Sequence, residues 1–359
     1  MVFLQFFLNN SNIEGSYMRF TKEKSDAIRK YILEQISLNT ANIPQKVAAT
    51  FDIAPSSVYR YLRSMENDGI IVKRNGHYAL PCIVKRYRIR KEADEHLDEY
   101  DLYVKLLLPI IKDLPANILE IWSYSFSEMM NNAGDHAQAT TVNLYINRDY
   151  MNTNVMIVDN GIGIFKKIKE HFGYKTLEDA IAELFKGKLT TDSKNHSGEG
   201  IFFTSRILDN FAAISDHHLF SHSKYEEIMT DLDDLPDLKN TSSFKTGTLV
   251  FMKLSNFSHK NIKDIFDRFA DPDGGFHKTR IPLKNIYETY PVSRSQAKRL
   301  LRRFDRFKEV ELDFSEISDI GQAFADELFR VFVSDHPDIK LIPVNANKQI
   351  QKMIHHVTQ

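Results

Sequence analysis

Cysteine is nearly missing. Cys82 is the only one in 359 residues, so no disulfide can close within the chain and no cysteine-based metal site can be built. The 13 histidines include no HExxH or comparable ligand spacing. No apolar run approaches the roughly 18 residues that would cross a bilayer, so no membrane span is expected. The opening MVFLQFFLNN is apolar but lacks a basic flank and a cleavage pattern, which argues against a signal peptide. It reads as an arm that packs on something, or as an overlong start upstream of Met18. What remains is a cytoplasmic chain, 42% hydrophobic, long enough for about two to three domains.

Net charge is also scarce at −1, but it is unevenly placed. Residues 20–91 hold 14 Lys and Arg against 6 Asp and Glu, a balance of +8, which leaves −9 for the rest. Within the basic part, Ile28, Tyr31, Ile32 and Ile36 recur at helical spacing. NIPQKVAAT is a short second helix, and Pro55 opens a third that Gly69 ends. GIIVKRNGHYAL reads as two strands around Asn75-Gly76, a strong hairpin signal. This order resembles winged-helix transcription regulators over about 70 residues. The resemblance implies that the third helix enters the major groove of double-stranded DNA, with Ser56, Ser57, Tyr59, Arg60 and Arg63 toward base edges, and Lys73 and Arg74 of the wing on phosphates. The alternative is a winged helix used for protein contacts, which the +8 balance opposes. KRYRIRK, at 85–91, is an edge strand, an extended linker along phosphates, or a plain solvated linker.

Further on, Glu128, Asn132 and Asp135 fall at i, i+4 and i+7 in SEMMNNAGDHA, one face of an ideal helix. A carboxylate there can polarise a water, and an amide oxygen suits Mg2+. Val155, Ile157 and Val158 form a buried strand ending in Asp159, with Gly161 and Gly163 placed for a close backbone approach to a flat ring. NHSGEGIFFTSRIL is a glycine turn running into a helix, whose free N–H groups suit phosphate oxygens.

These motifs together resemble the GHKL superfamily of ATP-binding domains, over roughly residues 115–255. The resemblance implies Mg2+ and ATP as ligands, Glu128 as general base, Asn132 as the Mg2+ ligand, and Asp159 as acceptor of the adenine amine. Gly161 and Gly163 follow that aspartate. Ser197, Gly198 and Gly200 fall in the lid motif, where His196 stands in place of its first glycine, and Gly247-Thr248 is the closing pair. Asn131 could take the metal role in a shifted register. Lys186, Lys188 and Lys194 are candidates for a γ-phosphate contact, against the plainer reading that they reach only water. His96, in the helical stretch 91–115, lacks the paired helix that a phosphoacceptor histidine uses.

The last 75 or so residues read as βαβα, implying a parallel sheet covered by helices. Ser293 and Gln296 make a capping box before AKRLLRRFDRF, VELDFSEI is a strand, GQAFADELFRVFVSD a helix, IKLIPV a strand and NKQIQKMIHHV a helix. The unit looks like the STAS-like domain, a relative of anti-sigma-factor antagonists. Their phosphorylatable serine sits in a strand-to-helix turn, which here is Asp319-Ile320-Gly321-Gln322, without a hydroxyl. Ser315 and Ser318 are only distant substitutes. Lys298, Arg299, Arg302, Arg303 and Arg306 form a basic face that could meet DNA or an acidic partner, or simply water.

The expected fold is multidomain, α/β and α+β: an arm (1–19), a winged helix (20–84), a helical linker (85–114), a GHKL α/β sandwich (115–256), a connector (257–284) and a STAS-like domain (285–359). The expected function is ATP-responsive control of DNA binding or transcription by a slowly hydrolysing homodimer, with a protein partner on the STAS-like domain. The alternatives are a protein serine kinase of the anti-sigma type and a non-hydrolysing ATP sensor in stress or phage defence.

Overall fold

The computed structural model describes residues 20–359 other than 75, 91–97, 138, 190–198, 224–227, 230–246, 272–274 and 288. Three helices come first: α1 (Lys22–Ser37), α2 (Ile43–Phe51) and α3 (Pro55–Asn67). Thr21 caps α1 by accepting from the Lys24 N–H at 3.3 Å. A proline stands in the first turn of both α2 and α3, where its missing N–H is not needed. Ile28, Ile32, Val47, Val58, Tyr61 and Leu62 close a core between them. β1 (Val72–Arg74) and β2 (His77–Ala79) pair antiparallel, with Arg74 opposite His77. Asn75 lies outside the described residues.

β3 (Ile83–Arg90) departs from the linker expected at 85–114. It pairs antiparallel with β4 (Thr141–Arg148) along its whole length and forms one edge of a six-stranded sheet. The other strands are β5 (Asn152–Asp159), β6 (Asn210–Ser215), β7 (His218–Ser221) and β8 (Leu249–Ser255), in the order β3-β4-β5-β8-β6-β7. Alternation assigns the KRYRIRK run to a strand: Tyr87 and Ile89 pack on the core while the residues between them are exposed. The described residues 98–114 of the expected linker are no tether either. Tyr103, Leu107 and Ile111 are buried in the same core.

One face of the sheet is covered by α4 (Ala116–Asn131), α5 (Ile164–Phe172) and α6 (Leu177–Lys186). On α4 the stripe Ile118, Ile121, Trp122, Ser125, Phe126, Met129 and Met130 faces inward at helical spacing. The α-helical register stops at Asn131. A π-helical turn follows over Asn132–His136, so the ideal-helix step no longer applies from Asn132 on.

α7 (Gly200–Ile207) and α8 (Ile262–Phe269) lead to the C-terminal unit. Its sheet has three parallel strands, β9 (Lys278–Pro282), β10 (Glu309–Asp313) and β11 (Lys340–Val344), in the order β11-β10-β9. β9 lies inside the stretch expected to be a connector, so the unit starts earlier than residue 285. Its helices are α9 (Arg294–Leu301), α10 (Gln322–Asp326), which continues as a π-helical turn to Phe332, and α11 (Lys348–Thr358). α9 has the expected capping box but ends at Leu301 rather than Phe307, because Arg303 takes a left-handed conformation with φ of 62°. Among the described residues, no helix is long and apolar enough to cross a membrane.

The basic face on α9 is neither free nor merely solvated. Arg302 and Arg299 approach Asp179 of α6 at 3.4 and 3.9 Å, and Arg303 approaches Glu183 at 3.6 Å. Lys298 lies 3.8 Å from Glu327. Lys186 is 1% exposed, bonds Glu183 at 2.6 Å and donates to the Arg302 carbonyl at 2.9 Å. Of the charges that suggested an outside partner, Arg299, Arg302 and Arg303 face the acids of α6, and Lys298 pairs within the C-terminal unit.

Candidate functional site

Asp159 ends β5 with only 6% of its surface exposed. Its Oδ1 accepts from the Gly161 N–H at 2.8 Å and the Thr248 N–H at 3.2 Å. Thr248 in turn accepts from the Ile164 N–H at 3.0 Å through its hydroxyl, which caps the start of α5. The carboxylate is therefore fixed by two segments that the chain separates by almost 90 residues. It faces a cleft open to solvent, lined also by Met129, Asn132, Gly163, Ile164, Ile201, Phe211, Ala213, Thr248 and Val250. A mostly apolar cleft with few fixed polar groups is the usual form of a small-molecule site.

The glycines have distinct jobs. Gly163 has φ of 87°, and a β-carbon there would come within 2.5 Å of Ser215 Oγ. Gly161 does not line the cavity: a β-carbon on it would meet the Ala137 carbonyl at 2.1 Å, so its bareness serves packing against the turn after α4 rather than approach to a ring. Gly200 opens α7 against Glu128, where a β-carbon would fall 1.9 Å from Oε2.

Asn132 donates through Nδ2 to Met129 Sδ at 3.9 Å, which leaves Oδ1 for a cation. Glu128 stands one turn back on α4 and is not part of the cavity wall; it sits where α7 begins, beside Ile201, which is. Burial first, then the carboxylates of Glu99 and Glu199, push the Glu128 pKa above the usual carboxylate range. The structure thus brings Asn132, Asp159, Gly163 and Thr248 to one cavity, with Glu128 and Gly200 adjoining it. The Asp135 side chain, Ser197, Gly198, Lys194 and His96 lie outside the described residues. Asn131 is only half-buried and its Oδ1 has no partner among the described residues.

Two lysines proposed for a phosphate are committed elsewhere. Lys186 belongs to the buried pair with Glu183, and Lys188 donates to the Arg306 carbonyl at 2.9 Å. Ile201 follows the lid motif, whereas Phe211, Ala213 and Val250 of the apolar wall carried no motif. Strand alternation would have placed Phe211 and Val250 inside, though not at a cavity.

Burial pushes the Asp159 pKa up to about 6, against its hydrogen bonds from Gly161 and Thr248, which lower it. A folded value above the unfolded 3.8 means that the folded state holds the proton more tightly. Stability attributable to this group is then full below about pH 4, falls as pH rises through about 6, and is absent above it. Asp159→Asn is expected to stabilise the ligand-free protein at pH 8 by up to about 3 kcal/mol, and by little at pH 4. Denaturant unfolding at the two pH values checks this; equal effects at both would show that the carboxylate is not desolvated.

On α3, Ser56, Tyr59, Arg60 and Arg63 are exposed, Ser57 is half-buried, and Arg60 donates to Ser57 Oγ at 3.0 Å. Lys73 and Arg74 are exposed on the hairpin. These residues share the N-terminal unit and are not part of the cavity.

Residues 296–351 match the family model of a STAS-like domain of unknown function (DUF4325), which spans α9 to α11. The chain therefore carries a C-terminal STAS-like domain within a multidomain α/β architecture. No curated protein matches the chain.

Proposed function

We propose that the chain is a regulatory protein in which a GHKL-type ATP pocket controls a DNA-binding winged helix, with the STAS-like domain as the contact for a protein partner. The observation that carries the reading is Asp159, buried at the cavity wall and fixed by backbone donors from Gly161 and Thr248. A carboxylate so placed can accept from an exocyclic amine, as adenine offers, while Met129, Ile164, Ile201 and Val250 supply apolar surface for a ring. Asn132 Oδ1 is the proposed ligand for Mg2+, an ion that keeps several waters and bridges phosphates. Exposed Arg60 and Arg63 on α3, beside exposed Lys73 and Arg74 on the hairpin, support the DNA half of the reading. A homodimer would suit paired half-sites.

The match to a STAS-like domain favours a second reading, a protein serine kinase of the anti-sigma type. The turn Asp319–Gln322 has no hydroxyl and Ser315 is engaged with Asp313 at 2.8 Å, which leaves exposed Ser318 beside the turn or a serine of another protein as acceptor. Labelled phosphate separates the readings: inorganic phosphate marks an ATPase, labelled protein a kinase, and neither a sensor.

Asp159→Asn is expected to weaken ATP binding by about 1.5–3 kcal/mol, through loss of a charge-assisted hydrogen bond. Unchanged affinity by calorimetry rules out this pocket. Titrating ATP with and without a bound duplex tests the coupling. Reciprocal linkage requires an ATP-driven change in DNA affinity to equal the DNA-driven change in ATP affinity, commonly about 5–150-fold. Identical ATP affinities in both titrations would leave two binding sites and no regulator.

A further inference from the structure

The register of β3 on β4 puts alternate residues of both strands on one face of the large sheet. Val84, Arg86, Arg88 and Arg90 lie opposite Asn147, Tyr145, Asn143 and Thr141 in turn. The opposite face takes Tyr87 and Ile89 into the core. All three arginines are exposed. None of the six strands contributes an Asp or Glu to their face, since the register puts Asp159 on the other side with Val142. Among the described residues, Arg88 and Arg90 form no ion pair.

We infer that this arginine stripe is a track for the phosphate backbone of double-stranded DNA, continuing the surface that starts at the hairpin. The inference rests on the DNA-binding reading above and names a second part of its interface. Successive arginines on one strand face are spaced about 6.7 Å apart, close to the spacing of neighbouring phosphates along a nucleic-acid strand. Guanidinium groups bind phosphate in a two-pronged fashion, and Asn and Tyr side chains such as Asn143 and Tyr145 are common phosphate donors. Protecting a sheet edge from another strand needs only scattered charges. Arg88 and Arg90, in line with Arg86 and beside neutral hydrogen-bonding side chains, make a positive strip instead.

Continuity with the hairpin favours DNA over an acidic protein as occupant. Only Leu80, Pro81 and Cys82 separate β2 from β3, so the strand that carries the strip follows directly on the hairpin. The turn joining β4 to β5 adds a second tie, since Tyr150 and Met151 pack on the core of the three N-terminal helices. Eight residues of strand cover about 27 Å, or about 8 base pairs.

The test is a salt titration of duplex binding by the full chain and by Arg88→Gln/Arg90→Gln. Arg86 is left unchanged because it has a contact of its own. The slope of log affinity against log salt should flatten by about 1.8, so the loss between 50 and 200 mM salt becomes about 12-fold smaller. Sequence preference should stay as it is. Adding about 10 base pairs beyond the hairpin end of a minimal duplex should tighten wild-type binding and leave the variant unaffected, while Arg88→Lys/Arg90→Lys should keep most of the slope. A variant with wild-type slope and length response overturns the strip; if Arg60→Gln/Arg63→Gln still relaxes sequence preference, the DNA-binding reading survives it. Absence of duplex binding by the wild type overturns both.

Discussion

Glu128→Gln is expected to leave ATP bound and to slow its hydrolysis by about 10²–10⁴-fold, the usual loss on removing a general base. The expectation follows from where the side chain sits. It is outside the cavity wall that would hold the nucleotide, so binding does not need it, yet its carboxylate touches the start of α7 beside Ile201. Glutamine has nearly the same shape and fits against Gly200, so the fold should tolerate it. The same position sets a pH signature. A base must be ionised, and burial with Glu99 and Glu199 nearby raises the Glu128 pKa. Turnover should therefore fall on acidification at a pH above the ordinary glutamate range, and the residual turnover of Glu128→Gln should lack that limb. Steady-state rates across pH, with ATP binding measured separately, check both parts. A variant that hydrolyses ATP at the wild-type rate would assign the water to another group. Asn132→Ala should behave differently, losing Mg2+-dependent affinity first.

The second large effect is on stability. Glu183 is 1% exposed and lies against Lys186 and Arg303, two cations from opposite sides of the junction between α6 and the C-terminal unit. Removing the carboxylate leaves buried positive charge without its partner. Glu183→Ala should cost about 3–5 kcal/mol, as the breaking of buried pairs does. Burial already draws the Lys186 pKa down to about 8, so the lysine can lose its proton in the variant and limit the damage at high pH. Glu183→Leu/Lys186→Met should recover much of the loss, because Arg303 keeps its bond to the Lys188 carbonyl. Denaturant unfolding of Glu183→Leu, Lys186→Met and the double supplies the cycle. A cost under about 1 kcal/mol for Glu183→Ala would place the pair in water.

Short-range patterns made the helices, the hairpin and the apolar strand ending at Asp159 legible, because period and capping chemistry lie within a few residues. The C-terminal βαβα order was legible for the same reason. β9 was not. HKTRIP has only Thr279 and Ile281 as inward residues, and its strand character comes from pairing with β10, some 30 positions later. The KRYRIRK run left strand and linker open because its partner β4 lies beyond five described helical pieces. Charge patterning failed most clearly at Arg302 and Arg303. A basic helix face looks the same whether water or Asp179 and Glu183 cover it, and only the fold supplies the acids. At the candidate site, Asp159 could be named because a polar residue stands out at the end of an apolar strand, and Thr248 because the resemblance supplied its Gly-Thr pair. Gly161 could be named too, but its neighbour, the Ala137 carbonyl, could not.

α7 belongs to two interiors at once. Ile207 is buried in the core of the large sheet, while Phe202 and Phe203 lie in the core of the C-terminal unit, where Phe203 stacks on Phe266 at 4.1 Å. Arg206 of the same helix donates to the carbonyls of Phe185 and Arg280, one from each side. Eight residues thus act as a rivet through two plates. Severing the chain ahead of β9 would not release an intact large-sheet unit: it would strip the cover from two phenylalanines and leave a guanidinium with fewer acceptors. The two plates should accordingly melt in a single calorimetric transition, and slow-exchanging amides on both sides should open together. Any signal that loosens one of them is then delivered to the first turn of α7, the turn that Glu128 touches.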